Sequence, residues 1–172
     1  MFQYNQPIYR LTIKLVDDVD LFTNSIYQEA LLNALVYCQN HKGLKVCAWV
    51  ILSNRIELIA TTSDKPTISD ILRDLKKFTS KQFVNLLINS NDPRKDWLLY
   101  RFKFNAVYTK NKDFKVWTNG NSKRQIEVSE LAFQKNEVHL LPVKKSIVVK
   151  AYHYIFSSAF TGNSKLIRPD TT

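Results

Sequence analysis

Arg55 and Glu57 are the residues whose types and spacing first suggest a site, because they are charged side chains in the most apolar strand-like stretch of the chain. That stretch reads Arg-Ile-Glu-Leu-Ile-Ala over residues 55–60. Successive side chains of a strand point to opposite faces, so Arg55 and Glu57 share one face. Either they form a solvated ion pair on a half-exposed sheet, or they occupy a functional position. In both cases we expect the two side chains to approach each other or a neighbouring charge.

The segment that positions this pair is predicted to be a β-hairpin at the centre of a sheet. Two apolar runs, residues 45–52 and 55–60, are of strand length and rich in β-branched and aromatic residues. They meet at Ser53-Asn54, two residue types that favour turns. Around the hairpin, hydrophobic periodicity predicts a strand over 7–16, helices over 26–39 and 69–89, a short strand over 114–117, and a weaker helix over 125–141 that Pro142 ends.

The composition is that of one globular domain. The chain has 172 residues, of which 45% are hydrophobic and 12% aromatic, which is enough for a core and too many for a disordered protein. No apolar run approaches the roughly 18 residues of a membrane span, and the N-terminus has no signal-peptide pattern. We therefore expect a cytoplasmic protein without a membrane partner. Cys38 and Cys47 lack metal-ligand spacing and are predicted to be reduced core thiols.

Positive charge is concentrated in the middle third of the chain. The net charge is +10, and residues 65–124 hold fourteen of the 25 Lys and Arg residues but five of the 15 Asp and Glu residues. Such a confined surplus suits a polyanionic partner, although a solvated helix face gives the same pattern. On the second predicted helix Arg73, Lys77 and Lys81 are spaced four apart and form one ridge, with Lys76 beside it. This ridge is a candidate phosphate-binding surface.

Residues 91–112 have little periodicity, but they interleave aromatic and cationic side chains. In a groove for single-stranded nucleic acid, rings stack on bases and cations contact phosphates. The alternative is that the rings cover the core and only the cations face water. The aromatic residues are Trp97, Tyr100, Phe102, Phe104 and Tyr108, and the cations are Arg94, Lys95, Arg101, Lys103 and Lys110.

Several short motifs occur in an informative order along the chain. They are Phe22-Thr23 before the first helix, Tyr37-Cys38-Gln39 and Lys42-Gly43-Leu44 at its end, the hairpin segment Ala48–Ile59, and Ser69–Lys81. Together they resemble the HUH single-tyrosine transposases, in particular the REP-associated branch, which acts on single-stranded DNA hairpins. The resemblance implies an α+β fold with a ferredoxin-like antiparallel sheet and helices packed on one face, and it implies a homodimer. We expect one domain over residues 1–172, with a basic, aromatic-rich insertion at about 91–124 and a loose tail from about 160.

The residues that carry the chemistry of that family are replaced in this chain. The family's second hairpin strand carries His-hydrophobic-His, two ligands that hold Mg²⁺ or Mn²⁺ against the scissile phosphate; the matching positions are Arg55 and Glu57. Its nucleophilic tyrosine precedes an Ile-His-Asn-Asn-Pro-Val-like motif, and the matching stretch Glu137–Lys144 places Glu137 there, facing the Arg55 strand. A guanidinium repels a divalent ion, and a carboxylate lacks the phenolic hydroxyl. The resemblance therefore implies no catalytic residue, metal or cofactor, and it matches Tyr154 to a structural tyrosine.

The sequence leaves three functional hypotheses open. The leading one is a catalytically inactive, transposase-like protein that binds single-stranded or hairpin DNA. The second is a domesticated protein-interaction module without a nucleic-acid role. The third is an active transposase or nuclease in which Glu57, His139 or Asp74 gathers a metal and Tyr108 or Tyr152 attacks. The predicted nucleic-acid contacts are Arg73, Lys76, Lys77, Lys81, Arg94, Lys95, Arg101 and Lys103.

Overall fold

The computed structural model describes residues 6–63, 65–110 and 113–161. In this part of the chain four antiparallel strands form one sheet in the order β2-β3-β1-β4, and helices pack on it, so the predicted α+β fold is confirmed. None of the helices described is long and apolar enough to cross a membrane. The strands are β1 (Ile8–Lys14), β2 (Leu44–Leu52), β3 (Arg55–Thr62) and β4 (Ser122–Ile126), and the longer helices are α1 (Ser25–Lys42), α2 (Ile68–Ile88), α3 (Lys95–Ala106) and α4 (Leu131–Lys144).

The predicted hairpin is present and supplies the most buried strand. β2 and β3 are joined at Ser53-Asn54, with Leu52 paired to Arg55. β3 lies between β2 and β1, and every residue of β3 after Arg55 is buried. A charged side chain in this part of β3, such as that of Glu57, therefore needs partners inside the protein.

A segment near the C-terminus covers the outer edge of β2. The N–H of Ile51 donates to the carbonyl of Phe156, and the N–H of Ser158 donates to the carbonyl of Trp49, both at 2.9 Å. These hydrogen bonds pair polar groups that an edge strand would otherwise leave open to another chain. The predicted loose tail from about residue 160 falls almost wholly beyond residue 161, outside the described residues.

The first face of the sheet carries the larger core, which α1, α2 and α3 complete. α1 begins after Asn24, whose side chain accepts a hydrogen bond from the N–H of Ile26, and α2 begins with a capping box between Thr67 and Asp70. α1 ends at Gly43, where φ is +67° and a Cβ would meet the hydroxyl oxygen of Ser63. α1, α2 and α3 thus lie on this face of the sheet. The sheet and helix residues of this core include Leu11, Ile13, Trp49, Leu58, Leu35, Leu72, Phe83, Leu98 and Phe102.

α4 lies on the opposite face and completes a smaller core. It packs mainly against β2 and also against β3. It starts later than the predicted helix because β4 and a short 3-10 turn (Val128–Glu130) precede it, and Pro142 lies in its last turn instead of ending it. The buried residues of this second core are Ile8, Cys47, Ala48, Val50, Leu52, Ile59, Ile126 and Val138.

Residues 91–124 contribute to both sheet and core. Leu98 and Phe102 of α3 are fully buried, and β4 pairs with β1 from Ile8 to Thr12. Periodicity predicted neither element because the other aromatic side chains of α3 are largely exposed and β4 is buried only at Ile126. The strand predicted at 114–117 is reduced to a single bridge between Trp117 and Leu15.

Candidate nucleic-acid interface and the Arg55–Glu57 site

Arg55 and Glu57 form the ion pair that their spacing predicts. The Nε atom of Arg55 lies 2.9 Å from Oε1 of Glu57, and the hydroxyl of Thr12 on β1 donates to Oε2 at 2.8 Å. The expectation of a solvated pair is wrong for Glu57, because its side chain is only 6% exposed and that of Arg55 is 20% exposed. Both carboxylate oxygens of Glu57 therefore have protein partners, as a buried charge requires.

The third hypothesis needs Glu57, His139 or Asp74 to gather a metal ion, but the structure gives each of these side chains other partners. Asp74 lies on α2 and accepts a hydrogen bond from the ammonium of Lys42 at 2.6 Å, which lowers the pKa of that carboxyl. His139 lies on α4 and contacts Ser158, while Glu57 holds Arg55 and Thr12. Among the described residues no group of three or more His, Cys, Asp or Glu side chains is arranged to hold a metal ion.

Glu137 lies on α4, as the resemblance implies. The ion-pair partner of its carboxylate is on α4 itself and not on β3. It is 2.7 Å from the ammonium of Lys144 at the end of the same helix. The α4 side chains that are buried over the sheet are Gln134 and Val138, and Gln134 accepts a hydrogen bond from Nη1 of Arg10 at 2.7 Å. Sequence reasoning missed Arg10, because in a loosely alternating strand it was indistinguishable from a solvent-facing residue.

His139 and Tyr154 hold the C-terminal segment in place. Nε2 of His139 is 2.7 Å from Oγ of Ser158, and burial lowers the pKa of this imidazole. The hydroxyl of Tyr154 donates to the carbonyl of Ile51 at 2.6 Å, and burial raises the pKa of this phenol. Both directions favour the neutral side chains. These contacts fit the structural role that the resemblance gives to Tyr154.

A groove with cationic walls lies between α2 and residues 113–121. Its volume is about 800 Å³, and we name it the α2 groove. Arg73, Lys77 and Lys81 line it from the exposed ridge of α2, and Lys115 lines it from the facing segment. Its further lining residues include Ser69, Lys76, Ser80, Val84, Asn85, Phe114, Val116, Trp117 and Asn121.

Lys76 fixes one wall of the α2 groove. Its ammonium donates to the carbonyls of Thr118 and Gly120 at 2.8 and 3.1 Å and to Oδ1 of Asn121 at 3.1 Å. A Lys ammonium has three N–H donors, so these bonds occupy all of them. The predicted phosphate contact by Lys76 is therefore replaced by a structural role, which joins residues 118–121 to α2.

Three other predicted phosphate contacts are also engaged within the protein. Arg94 pairs with Asp92, Lys95 donates to the carbonyl of Ile88 at 2.8 Å, and Arg101 pairs with Asp17. Arg94 and Lys95 hold the start of α3, and Arg101 joins the middle of the helix to Asp17. Of the eight predicted contacts, the exposed ones are Arg73, Lys77, Lys81 and Lys103, and Arg73 also pairs with Asp70 and Asp74.

Some aromatic residues of α3 are buried in the core, and others are exposed and accessible to a ligand. Phe102 is fully buried in the first-face core, as the core interpretation predicts. Trp97, Tyr100 and Phe104 are more than half exposed, and the rings of Tyr100 and Phe104 stack with centroids 6.1 Å apart. Tyr108, beyond the helix end, is 93% exposed. α3 therefore presents an aromatic stripe to solvent, which we define as Trp97, Tyr100, Phe104 and Tyr108.

Breaking the Arg55–Glu57 pair from one side should destabilise the fold. Arg55→Ala leaves a buried carboxylate without its counter-charge, and we expect a loss of roughly 3 kcal/mol in the free energy of unfolding. The double variant Arg55→Met with Glu57→Leu removes both charges and should recover most of that loss. Urea unfolding followed by circular dichroism measures both. If Arg55→Ala costs no more than the double variant, the pair does not neutralise a buried charge.

The stability of the fold should depend on pH through His139. Because burial lowers the pKa of His139 in the folded protein, the unfolded chain binds a proton more readily. Stability should be complete above the unfolded pKa of about 6.5 and should fall as the pH drops below that value. Urea midpoints from pH 7.5 to 5.0 measure this. His139→Gln should flatten the profile in that window; an unchanged profile would assign the dependence to another group.

Comparison with known proteins gives a likeness of fold. No protein-family model matches the sequence, and no curated protein sequence matches it. A solved structure described as a REP-associated tyrosine transposase bound to a REP hairpin superposes with a TM-score of 0.61 at 16% sequence identity. The alignment covers 100% of this chain and 98% of that one, so the likeness is one of overall fold.

Proposed function

We propose that this protein binds single-stranded or hairpin DNA through the α2 groove and does not cut it. The proposal rests on the row of Arg73, Lys77 and Lys81, exposed cations on successive turns of one helix that line a groove opposite Lys115. Four residues of an α-helix rise about 6 Å. The row therefore offers cations at a spacing similar to that of successive phosphates along a nucleic-acid strand.

The α2 groove also offers surfaces for bases. Phe114 lines the groove and is half-buried, so part of its ring is accessible, whereas Trp117 is buried behind the lining. Grooves that bind single strands combine cations for the backbone with rings on which bases stack, and they need no sequence-specific contact. Trp117 is held by a hydrogen bond from its indole N–H to the buried hydroxyl of Thr79 at 2.9 Å, so this part of the groove is preorganised.

The likeness to a hairpin-bound transposase supports the choice of DNA as the polyanion. That structure contains a REP hairpin, and the alignment with it covers 100% of this chain. Retention of the architecture together with a cation-lined groove favours retention of nucleic-acid binding. The surplus of positive charge in residues 65–124 favours it too, because phosphate contacts dominate such binding.

The proposed lack of cleavage rests on the groups at the Arg55–Glu57 site. Phosphoryl transfer through a tyrosine needs a phenolic hydroxyl, and α4 contains no tyrosine. A guanidinium at Arg55 occupies the carboxylate of Glu57 that could otherwise bind a cation. The carboxylate of Glu137 is paired with the ammonium of Lys144 and offers no hydroxyl that could attack a phosphate.

A second candidate function is protein binding through the aromatic stripe of α3. Trp97, Tyr100 and Phe104 recur at intervals of three and four, so they lie along one side of α3, and Tyr108 follows the helix end. Exposed aromatic clusters are typical of interaction surfaces. The predicted homodimer is one form that such an interaction could take. A protein that binds only through this stripe would show no salt-dependent affinity for DNA.

Removing the cations of the α2 ridge should weaken DNA binding. Loss of the three contacts in Arg73→Gln/Lys77→Gln/Lys81→Gln should lower the affinity for a tailed hairpin by about tenfold or more and reduce the slope of log affinity against log salt by about 2. Fluorescence anisotropy over a salt series measures both. The matched control Lys45→Gln/Lys145→Gln/Lys150→Gln removes the same charge outside the groove. Equal effects of the two triple variants would contradict the proposed site.

The wild-type protein should form no covalent DNA adduct. With Mn²⁺ and a labelled hairpin substrate, denaturing gels should show free DNA only, because nucleophile and metal ligands are both missing. Glu137→Tyr alone should restore nothing, and Arg55→His/Glu57→His/Glu137→Tyr is the smallest set that supplies all three groups. An adduct of the wild-type chain would refute the inactive assignment and direct the search for a nucleophile to Tyr108, Tyr152 and Tyr154.

A further inference from the structure

The second sheet face carries polar and charged side chains beyond the apolar core that α4 completes, and Lys14, Ser122 and Arg124 are the exposed ones. The second core covers the β2 and β3 part of this face. It also includes Ile8 of β1 and its cross-strand partner Ile126 of β4. Beyond that pair, toward the end of β1, the side chains on this face are polar or charged. They are Arg10, Thr12 and Lys14 of β1, Arg55 and Glu57 of β3, and Ser122 and Arg124 of β4. We name Arg10, Lys14, Arg55 and Arg124 the cation patch.

The strand register places like charges of the cation patch side by side. Arg10 is the direct partner of Arg124, and Lys14 is the direct partner of Arg55. Direct partners have Cβ atoms about 5 Å apart, and like charges in such positions destabilise a sheet. Four residues of a strand span about 14 Å, so one pair lies on either side of Thr12. The cation patch therefore consists of two pairs of cations about 14 Å apart.

The protein's own carboxylates neutralise this charge only in part. Among the described residues the carboxylates that pair with the patch are Glu57, 2.9 Å from Arg55, and Glu130, 3.4 Å from Arg124. Arg10 binds the neutral side chain of Gln134. A sheet that keeps two adjacent like-charge pairs retains a strong positive field on that face, and an anionic ligand would remove the repulsion.

We propose that the cation patch binds two phosphate groups of a nucleic-acid strand without a divalent metal. This inference rests on the DNA binding proposed above. Guanidinium groups match phosphate oxygens with paired N–H donors, and the exposed hydroxyl of Ser122 adds a donor between the two cation pairs. The two pairs lie about 14 Å apart, roughly twice the spacing of successive phosphates, so they suit two phosphates that are two nucleotides apart on one strand better than a single free phosphate ion.

The edge strand β4 connects the cation patch to the α2 groove. Residues 118–121 line the groove and lead directly into β4. Lys123 points to the first face, where its ammonium donates to Oγ of Ser69, another groove residue, at 3.0 Å. Arg124, one position later, points to the second face. A strand that leaves the groove at residues 118–121 therefore meets basic side chains around the edge of the sheet.

The test compares patch and groove variants on two DNA substrates in EDTA. Lys14→Gln/Arg124→Gln changes only exposed residues, so thermal melts should show an intact fold. On a hairpin with a ten-nucleotide 3′ tail, anisotropy should show about a fivefold loss of affinity and a salt slope smaller by roughly 1.4. On the same hairpin without its tail the loss should disappear. Lys45→Gln/Lys150→Gln is the matched control.

Each failure in this experiment has a separate meaning. If the patch variant behaves like the control while the groove triple variant still weakens binding, the cation patch is not a phosphate site and the proposed function stands. If the patch variant weakens binding and the groove triple variant does not, the α2 groove is refuted and the patch stands. If the affinity in EDTA recovers only after Mg²⁺ is added, the metal-free binding is refuted. Absence of any binding refutes both proposals.

Discussion

A carboxylate buried on the central strand of the sheet is the constraint on which the rest of the site depends. Glu57 lies on β3 between two paired strands, and a buried charge without partners would cost several kcal/mol. Arg55 supplies the counter-charge from the same strand, and Thr12 supplies a hydrogen bond from the neighbouring strand. The two charges thus stabilise each other within the sheet, and the same charges underlie our proposal that the site holds no divalent metal.

The positive charge of the chain is divided between structural and available groups. Lys76, Arg94, Lys95 and Arg101 bind carbonyls or carboxylates and hold the 118–121 segment and α3 in place. The ridge of α2 remains exposed above the groove that this scaffold creates. Fixed cations shape the groove and exposed cations give it charge, so binding a strand would require little reorganisation of the protein.

Sequence patterns predicted the parts of the fold that bury one clear face. The hairpin, α1 and α2 follow from alternation and from apolar spacing of three and four. α3 and β4 were not predicted, because their exposed aromatic and charged residues obscure the hydrophobic periodicity. Both elements are held by contacts between residues distant in sequence. The Arg55–Glu57 pair was predictable because i and i+2 share a strand face, whereas the contact of Arg10 with Gln134 joins residues 124 positions apart. Spacing alone could not show which cations bind other groups of the protein, because most of their partners are distant in sequence.

The measurement that tests the central claim most directly is photo-crosslinking of a tailed hairpin that carries 5-iodouracil at single tail positions. Crosslinked peptides identified by mass spectrometry locate the path of the strand. We expect crosslinks to Phe114, the partly exposed ring that lines the α2 groove. Crosslinks confined to Trp97, Tyr100, Phe104 or Tyr108 of α3 would contradict the account and assign DNA binding to a different surface.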